Sequence, residues 1–279
     1  MKKIDLNDWE ETGRGAFGIT YFHKTNPTWM LKFVDSSTPI EEVEQEIKTS
    51  QEVYELGIPT PKPGELVTDG ARTGMVFERI VGKRSFARAV GEEPQRIKEF
   101  AIRYAQLVKQ LHSTPCNTAK FKNAKEFNKN IILENQFRSN DVKQFAIEKL
   151  QIVPDATTCL HGDLHFGNMI LTEDKNYFID LGDFCYGYPL FDLAMQYILP
   201  VIVDDARFER DFHCTKAQAT LFWNEFLKIY FGPEKDLSNF TKELEPYVLF
   251  RLITAETKVG RRLPPDGEIL LQKILDGKF

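Results

Sequence analysis

The chain has 279 residues, 42% hydrophobic and 28% charged, with a formal net charge of −5, an ordinary globular profile with length for one large or two modest domains. No basic patch points to nucleic acid, and the longest apolar stretch, residues 197–203, is short and broken by Pro200, which argues against a membrane span. Cys116, Cys159, Cys185 and Cys214 form no C-x-x-C pair and fit reduced packing residues rather than a disulfide frame or a zinc site.

The opening Met1-Lys2-Lys3-Ile4-Asp5 lacks the apolar run of a signal peptide, so the expected location is cytoplasmic. Residues 1–80 carry nine Lys/Arg against fourteen Asp/Glu, while the remainder balances at twenty-seven of each. Gly13, Gly15 and Gly18 spell G-x-G-x-x-G. In a dinucleotide fold the last glycine opens a helix, but here Ile19-Thr20-Tyr21-Phe22 is β-branched and aromatic, which predicts a strand-loop-strand flap over phosphates. Trp29-Met30-Leu31-Lys32-Phe33-Val34 reads as an apolar strand with one embedded ammonium, a costly placement unless phosphate oxygens and a carboxylate partner it. Thr38-Pro39-Ile40-Glu41 predicts a helix start with Thr38 as its cap, running to about Gly57. On that helix Val43, Glu46, Ile47, Ser50 and Val53 or Tyr54 share one face, so Glu46 points inward and is the carboxylate expected to hold Lys32; Glu42 or another acid is the alternative partner.

Residues 74–80 read as an inner strand running into Gly82, where a lobe boundary is expected, with 1–81 before it and 82–279 after it. Backbone groups of Phe77, Glu78 and Ile80 would then face an adenine ring. Ile97, Phe100, Ala101, Tyr104, Leu107, Val108 and Leu111 recur at helical spacing, residues 118–150 read as two further helices, and the segment after Phe191 is again helical. The expected class is therefore α+β: a small β-rich N-lobe and a larger, mostly α-helical C-lobe.

Between the two helical regions stands His161-Gly162-Asp163-Leu164-His165-Phe166-Gly167-Asn168, followed after one apolar run by Ile179-Asp180-Leu181-Gly182-Asp183. An Asp five residues ahead of an Asn on a tight loop suits phosphoryl transfer: Asp163 orients an acceptor hydroxyl and takes its proton, while Asn168 and Asp180 hold magnesium. His161 and His165 read as loop-anchoring groups and His112 as a packed one.

Together these motifs resemble the aminoglycoside phosphotransferase and choline kinase family, the small-molecule branch of the protein-kinase-like fold, over almost the whole chain. The resemblance implies a bilobal kinase-like fold with ATP between the lobes (GTP is not excluded). It also implies the flap at residues 13–18, Lys32 on the α/β phosphates, Glu46 bracing Lys32, Asp163 as base, and Asn168 with Asp180 on magnesium. Asp192 looks like the family's structural Asp that braces the catalytic loop. Asp183, three residues beyond Asp180, reads as a second metal ligand, a substrate contact or a plain turn residue. Only eight residues separate Asp180 from Pro189, too few for a peptide-docking segment, and His-Gly-Asp lacks the Arg that reads a phosphorylated activation loop. The expected acceptor is accordingly the hydroxyl of a small molecule: an aminoglycoside, amino alcohol or sugar. A protein Ser/Thr kinase-like enzyme and a non-catalytic nucleotide-binding pseudokinase are the alternatives. Asp204, Asp205, Glu209 and Asp211 would line a pocket for a cationic substrate, or form a solvated loop. Neither a nucleic-acid nor a membrane partner is expected, and the oligomeric state stays open.

Overall fold

The computed structural model describes residues 1–15 and 18–279. The part of the glycine-rich motif at Ala16 and Phe17 lies outside the described residues. The N-terminal part builds a six-stranded sheet from β1 (Lys2–Lys3), β2 (Trp9–Gly15), β3 (Gly18–His23), β4 (Trp29–Val34), β5 (Pro63–Thr68) and β6 (Thr73–Glu78), in the order β1-β5-β6-β4-β3-β2. β1 runs parallel to β5, and the remaining pairs are antiparallel. The two-residue period of β4 sorts its side chains between two faces. Leu31 and Phe33 pack with Tyr21, Val67 and Val76 on one side, while Val34 and Met75 pack with Val43 and Ile47 of α1 (Ile40–Glu55) on the other. Lys32 has the parity of Val34 and so points to the α1 side.

The start of α1 differs from expectation. Pro39, not Thr38, is the cap residue, and no side chain bonds the first turn. Asp35 already gathers the Ser37 N–H and hydroxyl, and the Thr38 N–H donates to Asp35 O, so this turn holds Thr38 in place of a capping box. The Pro39 carbonyl accepts from Glu42 and Val43 instead.

Beyond the short β7 (Arg84–Ser85) come α2 (Phe86–Glu92), α3 (Ile97–Ser113), β8 (Lys122–Asn123), α4 (Ala124–Glu134), α5 (Asn140–Gln151) and β9 (Thr158–Leu160). β10 (Met169–Leu171) and β11 (Asn176–Phe178) pair as neighbours and lead to β12 (Cys185–Gly187). The chain finishes with α6 (Leu190–Ile202), α7 (Asp205–Phe212), α8 (Lys216–Phe231), α9 (Phe240–Val259) and α10 (Pro265–Leu275). Contacts divide the chain into one unit of Met1–Arg84 with Ile170–Gly182 and another of Ser85–Met169 with Asp183–Phe279.

In the second unit the apolar stripes of α3 and α8 face one another, and α9 lies along α6. Tyr104 is fully buried at the centre of an aromatic cluster, with Phe86, Phe222 and Phe226 edge-on at 5.4, 5.2 and 5.2 Å. Arg138, ahead of α5, forms ion pairs with Glu256 of α9 and Glu268 of α10, joining those two helices through one guanidinium. Among the described residues no helix is long and apolar enough to cross a membrane.

Candidate active site

In the first unit, β4 delivers Lys32 and α1 delivers Glu46. Their side chains meet at 2.9 Å, Nζ to Oε1, and the Asp180 carboxylate completes the arrangement at 3.0 Å from the same ammonium. Burial alone would pull the Lys32 pKa down, but Asp180 and Glu46 outweigh it and hold the group above its ordinary value. The ammonium is therefore a fixed positive charge, held by two carboxylates that both face it. Asp180 itself adopts a left-handed backbone, φ 63°, uncommon for a residue with a side chain and the kind of conformation found where a site holds a group in place. Gly182 packs against the Glu46 side chain; a Cβ there would lie 3.7 Å from Cγ.

Gly13, Gly15 and Gly18 lie in the β2–β3 hairpin, where Gly15 pairs with Gly18 and Gly13 with Thr20. A Cβ on Gly18 would stand 2.1 Å from Phe33 O, so the strand beside it can approach only a glycine. At the end of β6, the Glu78 N–H donates to Lys62 O and the Arg79 N–H to Thr28 O. The Glu78 carboxylate accepts from the Lys62 N–H, and residues 78–82 border a cavity of about 450 Å³ whose other walls are Thr172, Glu173, Asp174 and Tyr177.

In the second unit the loop after β9 carries Asp163 and Asn168. The Asn168 Nδ2 donates to both the carbonyl and Oδ2 of Asp163, each at 3.1 Å, and its own N–H donates to His165 O. The amide nitrogen is spent on Asp163, so the oxygen of Asn168 is the atom available to a cation. An amide oxygen is a hard donor of the kind that magnesium accepts. Two residues one turn apart on α6 hold the loop. Buried Asp192 accepts the His161 N–H at 2.7 Å, the Gly162 N–H at 2.8 Å and lies 3.1 Å from His112 Nε2. Burial would raise its pKa, but the bond and charge of His112 and the nearby His161 keep it lowered. Gln196 Oε1 accepts the Phe166 N–H at 2.8 Å. His112 also meets the Tyr230 hydroxyl at 2.7 Å, while His165 Nδ1 accepts the Gly167 N–H and its ring sits edge-on to Phe212.

Asp183 is gripped by two lysines, Lys122 Nζ at 3.3 Å and Lys258 Nζ at 2.6 Å. Burial raises its pKa, but Lys258, Lys122 and Arg251 prevail and bring it down to about 2. Its backbone presses on the loop after β9: a Cβ on Gly162, φ +81°, would stand 1.9 Å from Asp183 O. Sequence reading missed Lys122, Lys258, Arg251 and Gln196. Only Gln196 left a signal, as the one amide among Leu193, Ala194, Ile198 and Leu199 on a buried helix. The acids of residues 204–211 are largely engaged locally. Asp204 caps α7, Asp205 pairs with Lys216, and Asp211 pairs with Arg207 and Arg210.

The family model for the phosphotransferase enzyme family matches residues 10–220. Among solved structures, the chain is similar to amicoumacin kinase hAmiN in complex with AMP-PNP, Ca²⁺ and Ami, at 17% identity and TM-score 0.54 over 99% of this chain and 90% of that one. It is similar to a choline/ethanolamine kinase family protein from Mesorhizobium loti, at 14% identity and TM-score 0.58 over 96% and 87% of the two chains. A third similar structure is ADP-bound aminoglycoside phosphotransferase APH(2'')-Ib, at 18% identity and TM-score 0.60 over 96% and 94%. At such identities the likeness is one of fold. No curated protein sequence matches the chain significantly.

Proposed function

The chain belongs to the phosphotransferase enzyme family, and from that premise we propose that it transfers the γ-phosphoryl group of ATP to a hydroxyl of a small molecule. The observation that carries this reading is the Lys32 ammonium held 2.9 Å from Glu46 and 3.0 Å from Asp180. A half-buried cation kept charged by two carboxylates is pre-positioned to take phosphate oxygens without reorganising. The AMP-PNP and ADP complexes among the similar structures support an adenine nucleotide as donor. The Glu78 and Arg79 amides are spent inside the fold, and the Ile80 backbone, on the cavity wall, would face adenine.

The family resemblance implies Asn168 and Asp180 as the residues that would hold a magnesium ion brought in with the nucleotide. When bound it neutralises charge on the phosphates. Asp163 accepts the acceptor's hydroxyl proton as the acceptor oxygen bonds to the γ-phosphorus. The bond from that phosphorus to the β–γ bridging oxygen breaks, and ADP leaves with the electron pair. The Asn168 amide keeps the Asp163 carboxylate turned for this task. Ten residues after Asp180 the chain is already in α6, and only the three-residue β12 intervenes, which supports a small acceptor over a peptide.

The test is a turnover screen of the purified protein with ATP and magnesium against pooled hydroxylated metabolites and antibiotics. Acceptor-dependent ADP release is expected. Phosphorylation of generic proteins with no small acceptor used would overturn the reading.

A further inference from the structure

Beside the catalytic loop stands a group of cations that the mechanism above does not use. Arg251 of α9 donates from Nη2 to the carbonyl of Gly162, the residue preceding Asp163. Lys122 and Lys258 converge on Asp183, whose backbone touches that same glycine position. The ring of Phe127 underlies both ammonium groups, 3.9 Å from Lys122 Nζ and 5.3 Å from Lys258 Nζ. Three side chains, from β8 and from two positions on α9, thus bring positive charge to one place, and one aromatic wall orients two of them. Each lysine side chain retains about a third of its exposure, so neither is sealed in the core.

Charge arithmetic then decides what this place receives. Asp183 neutralises one of the three cations, and counting Asp163 as well still leaves a surplus of one positive charge. Of the acids at residues 204–211, Asp205 pairs with Lys216 and Asp211 with Arg207 and Arg210, which reduces what they offer a cationic acceptor. A polycation brought to Asp163 would meet the positive charge of Lys122, Lys258 and Arg251 first.

We propose that Lys122 and Lys258, backed by Arg251, form an anion subsite next to Asp163, and that the acceptor is a hydroxyl compound carrying a carboxylate or a phosphate. This rests on the phosphotransferase reading and narrows its substrate class. The ammonium groups take the anionic end of the acceptor, which turns its hydroxyl toward Asp163. Lys122 and Lys258 are specificity-determining side chains here, acting on acceptor binding rather than on ATP.

The experiment measures ADP release with gluconate, glycerate, glucose 6-phosphate, glycerol, choline and kanamycin as acceptors. In parallel, calorimetry measures gluconate and glucose 6-phosphate binding to the protein without nucleotide. Turnover of an anionic acceptor is expected, with the carboxylates and the phosphate ester showing which anion is preferred. Lys122→Met with Lys258→Met should raise KM for that acceptor by about tenfold or more, the scale of losing a charged hydrogen bond, with a smaller change in kcat. The pair Lys122→Arg and Lys258→Arg keeps the charge and should restore most of the affinity, which a purely structural role for the lysines would not explain. Turnover of choline or kanamycin with the anions rejected would overturn the anion subsite and leave the phosphotransferase reading intact. Lysine-dependent anion binding with no ADP release from any acceptor would uphold the subsite and overturn that reading. If no anion is bound and none is used, the proposal falls.

Discussion

Asp192 and Gln196 stand one turn apart on α6 and divide the loop of residues 161–168 between them: Asp192 takes the N–H groups of His161 and Gly162, Gln196 that of Phe166. Their grips differ in kind. Asp192 satisfies its donors with a fully buried charge, whereas the Gln196 Nε2 is buried without a partner among the described residues.

Asp192→Ala should therefore destabilise strongly, by about 3–5 kcal/mol, because it strips a buried pair of its anion. Gln196→Leu should cost less, within about 1–3 kcal/mol, since deleting the unpaired amide offsets part of the loss of the Phe166 bond. Urea unfolding of the two variants checks the order. Equal midpoints would mean that the loop is held elsewhere.

Lys32 and Glu46 should behave as one unit. A double-mutant cycle with Lys32→Met and Glu46→Gln on kcat/KM should show a coupling of about 0.5–3 kcal/mol. Strictly additive losses would mean that Asp180 alone positions the ammonium.

The pairing of Asp183 with Lys122 and Lys258 predicts a pH signature. Its folded pKa, about 2, lies below the ordinary carboxylate value, so its contribution to stability is complete above about pH 4 and fades as pH falls toward 2. Asp183→Asn should be less stable at neutral pH and lose less on acidification. Parallel acid-denaturation curves for the two proteins would contradict the ion pairs.

Gly162 cannot carry a side chain. Its φ of +81° disfavours an L-residue, and a Cβ would collide with Asp183 O at 1.9 Å. Gly162→Ala should lower the unfolding midpoint and reduce turnover more than ATP affinity. A variant with wild-type stability and turnover would show that the loop moves freely there.

Much of this was legible in the sequence wherever a local period carried it. The inward face of α1 follows from Val43, Ile47 and Val53, and Glu46 inherits its direction from that face. The cap of α1 was misread because Asp35 competes for the turn, an interaction that the capping pattern ignores. The partners of Asp183 lie 61 and 75 residues away along the chain, joined only by the fold, so no local pattern could name them. Gln196 left only a polar break in an apolar run.

The central claim is that Asp163 receives the acceptor proton in a transfer from ATP, and the most direct test is Asp163→Asn assayed for both nucleotide affinity and turnover. Magnesium-dependent ATP affinity should hold while turnover drops about 10²-fold or more, the scale for losing a positioned base. An Asp163→Asn protein that turns over like wild type, or one that loses ATP binding in step with turnover, would contradict the account.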